Sequence, residues 1–258
     1  MAIVNLTDDS FSGDGLRGGT PAAIAQALRM IDAGADILDI GGESSRPGAT
    51  SVSLQEELDR LLPVIEGLRG CGRPLSVDTT KPDVMTAALA AGVDMINDIA
   101  ALRAPGALAA VVEGDAAVCL MHMQGEPGTM QAAPAYRDVV AEVQEFLCQR
   151  VAACAAAGIA RDRIVIDPGF GFGKTLEHNL ALLRALPGLA ECALPVLIGV
   201  SRKSMIGTIT GRPLEQRDGG SAVAAVLAVQ RRASIVRVHD VGATRDALAV
   251  LAAIDGSG

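Results

Sequence analysis

Short β-branched apolar runs alternate along this chain with longer Ala- and Leu-rich stretches whose apolar positions recur at helical spacing. The runs predict strands at 2–5, 36–40, 74–78, 94–97, 117–121, 163–167, 196–200 and 234–238. The stretches between and after them predict helices at 21–33, 53–68, 82–91, 105–113, 136–157, 178–188, 217–232 and 243–254. Helix starts are marked locally. Thr20-Pro21 reads as an N-cap with proline at the first helical position, and Ser53 with Glu56 reads as a capping box. Thr80-Lys81-Pro82 opens another helix soon after a strand. Eight strand–helix units in strict alternation predict an α/β fold, one closed (β/α)8 TIM barrel of parallel strands over residues 1–258. A doubly wound open sheet is the competing architecture. The chain starts inside its first strand, without the earlier segment that plugs the bottom of many barrels.

What ends each strand is informative. The apolar runs stop at Asn5, Asp39, Asp78, Asn97, His122 and Asp167, and the seventh runs into Ser201-Arg202-Lys203. The eighth delivers Arg237 and His239, two apart and so able to face the same way. In a parallel barrel these ends share one rim, the face that carries catalysis. Polar residues could simply mark where strands leave the core. That explains two or three of them, but not carboxylates and amides inside apolar strands, where an unpaired charge is costly.

Composition narrows the choice of partners. The formal net charge is -8 and aromatic residues make up 2%. Neither the basic face nor the stacking rings of a nucleic-acid binder are present, and attraction to an acidic membrane is not expected. Five scattered cysteines form no CxxC pair, so a zinc knuckle or disulfide framework is not expected and idle thiols in a reducing compartment are. The opening MAIVNLTDDS has neither the basic segment nor the apolar length of a signal peptide, and no apolar run reaches the roughly 20 residues of a membrane span.

The rim has two chemical characters. Asp78, Asn97 and Asp167 on strands three, four and six, with Lys203 after seven, suit a flat heterocycle rich in N–H donors with one carbonyl. Asn5, Arg46, Arg237 and His239, on strands or loops one, two and eight, suit a phosphate group with a hard metal ion. A pterin bearing a diphosphate meets both demands. Lysine is rare here, with three residues, Lys81, Lys174 and Lys203, against nineteen arginines. Lys203 therefore suggests a place where a compact charge is needed.

The stretches NLTDDSFSGDG, DIGGESSRPGA, LSVDTTKP, INDI, CLMHMQGEPGTMQ, DPGFGFGKT, SRKSMIG and RVHD, in this order, resemble the motifs of the dihydropteroate synthase family over essentially the whole chain. The resemblance implies condensation of a (7,8-dihydropterin-6-yl)methyl diphosphate with 4-aminobenzoate in folate biosynthesis. It implies a pterin pocket of Asp78, Asn97, Asp167 and Lys203. It implies a diphosphate and Mg²⁺ site of Asn5 (the metal side), Ser45, Arg46, Arg237 and His239, with Asp39 adjoining. It places 4-aminobenzoate near Phe11, Pro47, Phe172, Ser201 and Lys203, and gives Asp78, Lys203 and Arg237 the central catalytic roles. Enzymes of this family are cytoplasmic, often homodimeric, and the targets of sulfonamides.

Three departures stand out. TDDSF occupies the place of TPDSF, FSGDG that of FSDGG, and Ser45 that of a commoner threonine, keeping the hydroxyl. The family's segment before strand one is not expected in this chain. The loop from Thr7 to Gly19 is expected to close over bound diphosphate and bring Phe11 to the aniline ring. Four other readings bear on the same residues. Gly13-x-Gly15-x-x-Gly18 matches a dinucleotide fingerprint, but Thr7 to Ser12 separate it from its strand and Pro21 starts the helix after all three glycines. Gly173-Lys174-Thr175 is no P-loop, because Pro168 stands where the first glycine belongs. A folate–corrinoid methyltransferase barrel and a non-catalytic pterin-binding paralogue stay open as alternatives.

Overall fold

The computed structural model describes residues 1–6, 19–44 and 51–256. Its strands are β1 Ala2–Asn5, β2 Leu38–Gly41, β3 Leu75–Asp78, β4 Met95–Asp98, β5 Ala117–Met121, β6 Ile164–Asp167, β7 Leu197–Ile198 and β8 Ile235–Val236. The helices are α1 Thr20–Asp32, α2 Leu54–Leu68, α3 Pro82–Ala90, α4 Ala107–Val112, α5 Val139–Ala156, α6 Leu176–Ala190, α7 Ser204–Thr210, α8 Asp218–Val229 and α9 Val241–Asp255.

The strands run parallel in chain order from β1 to β6, and β7 pairs with β8. Two parallel bridges complete the circle: Ile166 with Val196, and Ala2 with Val238. At the second, Ile3 N–H donates to Val238 O at 3.0 Å and Val238 N–H donates to Met1 O at 2.9 Å. The sheet is therefore a closed (β/α)8 barrel, and the open-sheet alternative falls.

Several local expectations change. Regular pairing in β7 and β8 shrinks to two residues each, while the flanking Val196 and Val238 bridge to the other neighbours. The cap of α1 is Gly19, at φ +66°, and Thr20 already lies in the helix with Pro21 in its first turn. At α2 only half of the expected box forms. Ser53 Oγ accepts from Glu56 N–H at 3.2 Å, while the Glu56 carboxylate takes Arg60 at 2.6 Å. The reciprocal capping box is at α6, between Thr175 and His178. Helix α7 has no counterpart in the hydrophobic pattern, since SMIGTIT is one short segment with an internal glycine and two β-branched threonines.

Two apolar layers surround the strands. One face of each strand packs outward under the helices, with Leu38, Ile40, Val77, Ile96, Leu120 and Ile166 among the buried residues of the main core. The barrel interior holds a separate small layer of Met1, Met95, Cys119, Val165 and Leu197, flanked by Ile37 and Ile235. Among the described residues no helix is long and apolar enough to cross a membrane.

Candidate active site

Successive side chains of a strand point to opposite faces, so residues two apart share one. Stepping two residues from the interior layer leads from Ile37 to Asp39, Met95 to Asn97, Val165 to Asp167, and Ile235 to Arg237. The polar strand ends therefore form a tier inside the barrel, resting on an apolar floor, at the ends where the strands give way to the loops before the helices.

Asp39 organises this tier. It is fully buried and accepts from Ser76 Oγ at 2.6 Å, Asn97 Nδ2 at 3.2 Å and Arg237 Nε at 2.5 Å. Arg237 also donates Nη2 to Asp78 at 2.8 Å. The two chemical groups thus meet here: Arg237, placed with the diphosphate residues, is paired to Asp78, placed with the pterin residues. Their tendencies oppose each other. The acids around Arg237 outweigh its burial and hold its guanidinium firmly protonated. Burial raises the Asp78 carboxyl to about 7; Arg237 pulls it down, while Asp39, Asp98 and Glu57 push it further up. One guanidinium shared between two carboxyls does not offset the desolvation of Asp78. Asn97, with its amide nitrogen engaged by Asp39, keeps its oxygen side as the acceptor.

Asp167 lies under the loop that follows β6. Burial raises its carboxyl, opposed by the Gly169 N–H, which donates to Oδ1 at 2.7 Å, and by the charges of Lys203, Lys174 and Arg237. Gly169 has φ +70°, and a Cβ there would stand 1.9 Å from His122 O. Only glycine fits. Lys203 lies across this loop. Its Nζ donates to Phe170 O and sits 4.3 Å from the centroid of the Phe172 ring. Burial lowers its pKa to about 8, against the opposing pull of Asp167. A Cβ on Gly171 would come within 2.9 Å of Lys203 Cδ, so the glycine makes the channel for the lysine stem.

At the closing strands, Ser201 Oγ accepts from His239 N–H at 3.1 Å and lies 3.0 Å from His239 Nδ1. Ser201, expected at the aminobenzoate end, is thus tied to the imidazole expected at the diphosphate. Asn5 Oδ1 and Asp78 Cβ are each 3.7 Å from where a Cβ on Gly41 would be, which puts Asn5 at the edge of the same tier. Phe11, Ser45, Arg46 and Pro47, with the altered loop positions Asp8 and Gly13, lie outside the described residues.

Sequence reasoning missed several members. Asp98 is buried, with a carboxyl raised to about 6 by desolvation. It accepts from Ala100 and Leu102 N–H at 2.7 Å each and stabilises a turn in which Ala101 and Leu102 have positive φ. Lys81 pairs with Glu43 and the buried Glu57, bracing the loop after β2. His122, expected on the rim as a polar strand end, is buried and joined to Lys174. Its pKa is lowered to about 3 by burial and by the Lys174 charge, while burial lowers Lys174 to about 7. The scarcity of lysine was a usable signal: all three are engaged around this rim.

The profile of the pterin binding enzymes matches residues 1–239. The dihydropteroate synthase of Neisseria meningitidis serogroup C is 54% identical over 253 residues, covering 96% of this chain and 89% of that one. The chain belongs to the dihydropteroate synthase family. Its activity is accordingly that of a transferase in folate biosynthesis. The Yersinia pestis dihydropteroate synthase, solved with a sulfonamide drug complex, superposes with a TM-score of 0.96 at 47% identity, covering 99% of this chain and 94% of that one. The Xanthomonas albilineans dihydropteroate synthase, solved with 7,8-dihydropteroate, does so with a TM-score of 0.89 at 52% identity, covering 99% and 92%.

Proposed function

We propose that this dihydropteroate synthase reads a dihydropterin with Asp78, Asn97, Asp167 and Lys203, and releases diphosphate through Arg237 and His239. The observation that carries this reading is the tier of acceptors on an apolar floor, with Arg237 joining Asp39 to Asp78 at its centre. A flat heterocycle lying on that floor presents ring N–H groups to Asp167 and Asn97 and a carbonyl to Lys203. As the methylene C–O bond breaks, the electron pair leaves with the diphosphate. Arg237 and His239, with Ser45 and Arg46, oppose the growing negative charge. Asp78 and Asp167, when ionised, support the positive charge spread over the pterin. The nitrogen of 4-aminobenzoate, seated against Phe172 with Phe11, Pro47 and Ser201, forms the new C–N bond and then loses its proton. No strong general base is required, and no side chain acts as a nucleophile.

Mg²⁺ fits this reading in one respect. Asn5 offers a neutral oxygen donor at the edge of the acceptor tier. Asn5 is the residue that would hold Mg²⁺ beside the substrate's diphosphate. Mg²⁺ bound there would supply Lewis-acid neutralisation of the leaving group.

Ile209, Leu214, Val223 and Leu227 are large apolar side chains exposed on α7, the turn after it and α8. They support a homodimer through this face, which sedimentation of wild type and Val223→Glu tests. The cytoplasm is the compartment that fits a folate enzyme with unpaired thiols. The catalytic reading is tested by supplying both substrates with Mg²⁺ and measuring dihydropteroate and diphosphate together. Equal yields are expected, and diphosphate without dihydropteroate would overturn it.

A further inference from the structure

The segment after β6 is held in an unusual way. Gly169, Gly171 and Gly173 alternate at φ +70°, +76° and +62°. The four successive carbonyl oxygens from Phe170 to Gly173 each accept from a different side chain: Lys203, Gln131, Lys174 and Tyr136. Three of these donors, Gln131, Lys174 and Tyr136, play no part in the chemistry derived above. Gln131 and Tyr136 come from the loop between β5 and α5.

Lys174 joins the two loops. Its Nζ lies 2.9 Å from His122 Nδ1 and donates to His122 O at 3.2 Å and to Phe172 O at 3.0 Å. The residue is 4% exposed, so no water replaces these partners cheaply. Tyr136 OH donates to Gly173 O at 2.9 Å, one residue from the lysine. A Cβ on Gly173 would lie 2.5 Å from Gln124 O, so the loops touch backbone to backbone. The Asp167 side chain, by contrast, takes its hydrogen bond from Gly169 N–H and none from Lys174, which reaches it only as a neighbouring charge. Lys174 therefore holds the Phe172 end of the segment by a hydrogen bond and touches the Asp167 end only through its charge.

We infer that Lys174, seconded by Tyr136, is the positioning residue for the aminobenzoate half of the site, clamping Phe172 to the end of β5 through His122. The inference rests on the reading that seats the aniline ring against Phe172.

The test is steady-state kinetics with each substrate varied in turn, together with thermal melting. Lys174→Met should raise KM for 4-aminobenzoate at least tenfold, leave KM for the pterin diphosphate within twofold, and lower kcat less than it raises the first KM. Tyr136→Phe, which removes one hydroxyl and carries little folding risk, should raise the same KM several-fold in the same direction. If Lys174→Met does not fold, Tyr136→Phe decides. An unchanged aminobenzoate KM in Tyr136→Phe, or equal rises in both KM values, would overturn the inference. Phe172→Leu separates the two levels. If it raises the aminobenzoate KM while the clamp variants do not, the clamp fails and the seating of the ring stands. If Phe172→Leu changes nothing, the seating fails and takes the clamp with it.

Discussion

Arg237 and Asp39 stand 198 positions apart in the chain and 2.5 Å apart in the barrel, where the last strand closes on the first and Arg237 reaches to the second. Asp39 has no exposed surface, and Arg237 is its strongest partner. Asp39→Asn keeps the shape and removes the charge, leaving the guanidinium with Asp78 alone. Breaking a buried pair from one side costs about 3 kcal/mol or more. The expected outcome is a clear fall in melting temperature and a loss of kcat/KM of at least tenfold, about 1.4 kcal/mol. Denaturant unfolding and kinetics on the same preparation check it. A variant with wild-type kinetics would mean that Arg237 needs no second carboxylate to be aimed.

This pairing also shows how far the sequence could be read. The barrel was legible because strand and helix periods differ and eight units alternate without interruption. Ala2–Asn5 and Ala117–Met121 match the expected strands residue for residue. The acceptor tier was legible because Asp78, Asn97 and Asp167 interrupt apolar runs, where only a partner or a ligand makes a charge tolerable. Which polar group pairs with which was not legible. Arg237 reaches Asp39 and Asp78 through barrel closure, and no local spacing encodes that. Ser201 holding His239 is likewise a contact between neighbouring strands that a residue-by-residue carry-over does not show. The Lys174–His122 pair escaped because a lysine in a glycine loop reads as solvent-exposed or phosphate-binding, and burial is a property of the packed loops. Helix α7 escaped because a seven-residue segment gives too little periodicity.

Gly169 offers a sharp test of the glycine loop. At φ +70°, alanine costs about 1–2 kcal/mol in conformation alone. Its Cβ would also lie 1.9 Å from a carbonyl oxygen, so β5 or β6 must shift. Gly169→Ala should melt several degrees below wild type and lose pterin diphosphate affinity, because Asp167 moves with the loop. Gly188→Ala, on α6 with open space around the added methyl, is the control and should melt at or above the wild-type temperature. A Gly169→Ala protein as stable as that control would show the segment to be far more yielding than its packing implies.

Lys203 gives a pH dependence with a definite sign. Its ammonium is lost near pH 8 in the free enzyme instead of near 10.5, because burial disfavours the charge. The pH profile of kcat/KM reports the free enzyme. With pterin diphosphate varied, kcat/KM should therefore fall as pH rises through about 8. Lys203→Met should be slow at all pH values and lack that limb. Stability runs the other way. The unfolded chain binds the extra proton between about 8 and 10.5, so this residue makes the folded state more stable as pH rises across that window. Lys203→Arg should also lose at least tenfold in kcat/KM, since a rigid fork does not follow the narrow channel beside Gly171. A near-wild-type arginine variant would remove the lysine from the chemistry.

Order of binding follows from depth. Asn97 and Asp167 are 4% and 6% exposed, whereas Phe172 is only partly buried and packs against Met121, Met123 and Met130 nearer the loops. A ring that contacts the acceptor tier must enter before a ring that rests on Phe172, because the second lies across the path of the first. In the proposed arrangement the diphosphate attached to the first ring lies toward Arg237 and His239 and forms part of the surface the aniline meets. 4-Aminobenzoate alone should therefore show little heat of binding in calorimetry. Adding inorganic diphosphate with Mg²⁺ should produce measurable binding, and chelating the metal should abolish it. Tight binding of 4-aminobenzoate to the protein alone would mean that its seat is complete without the leaving group, and the proposed sequence of entry would fail.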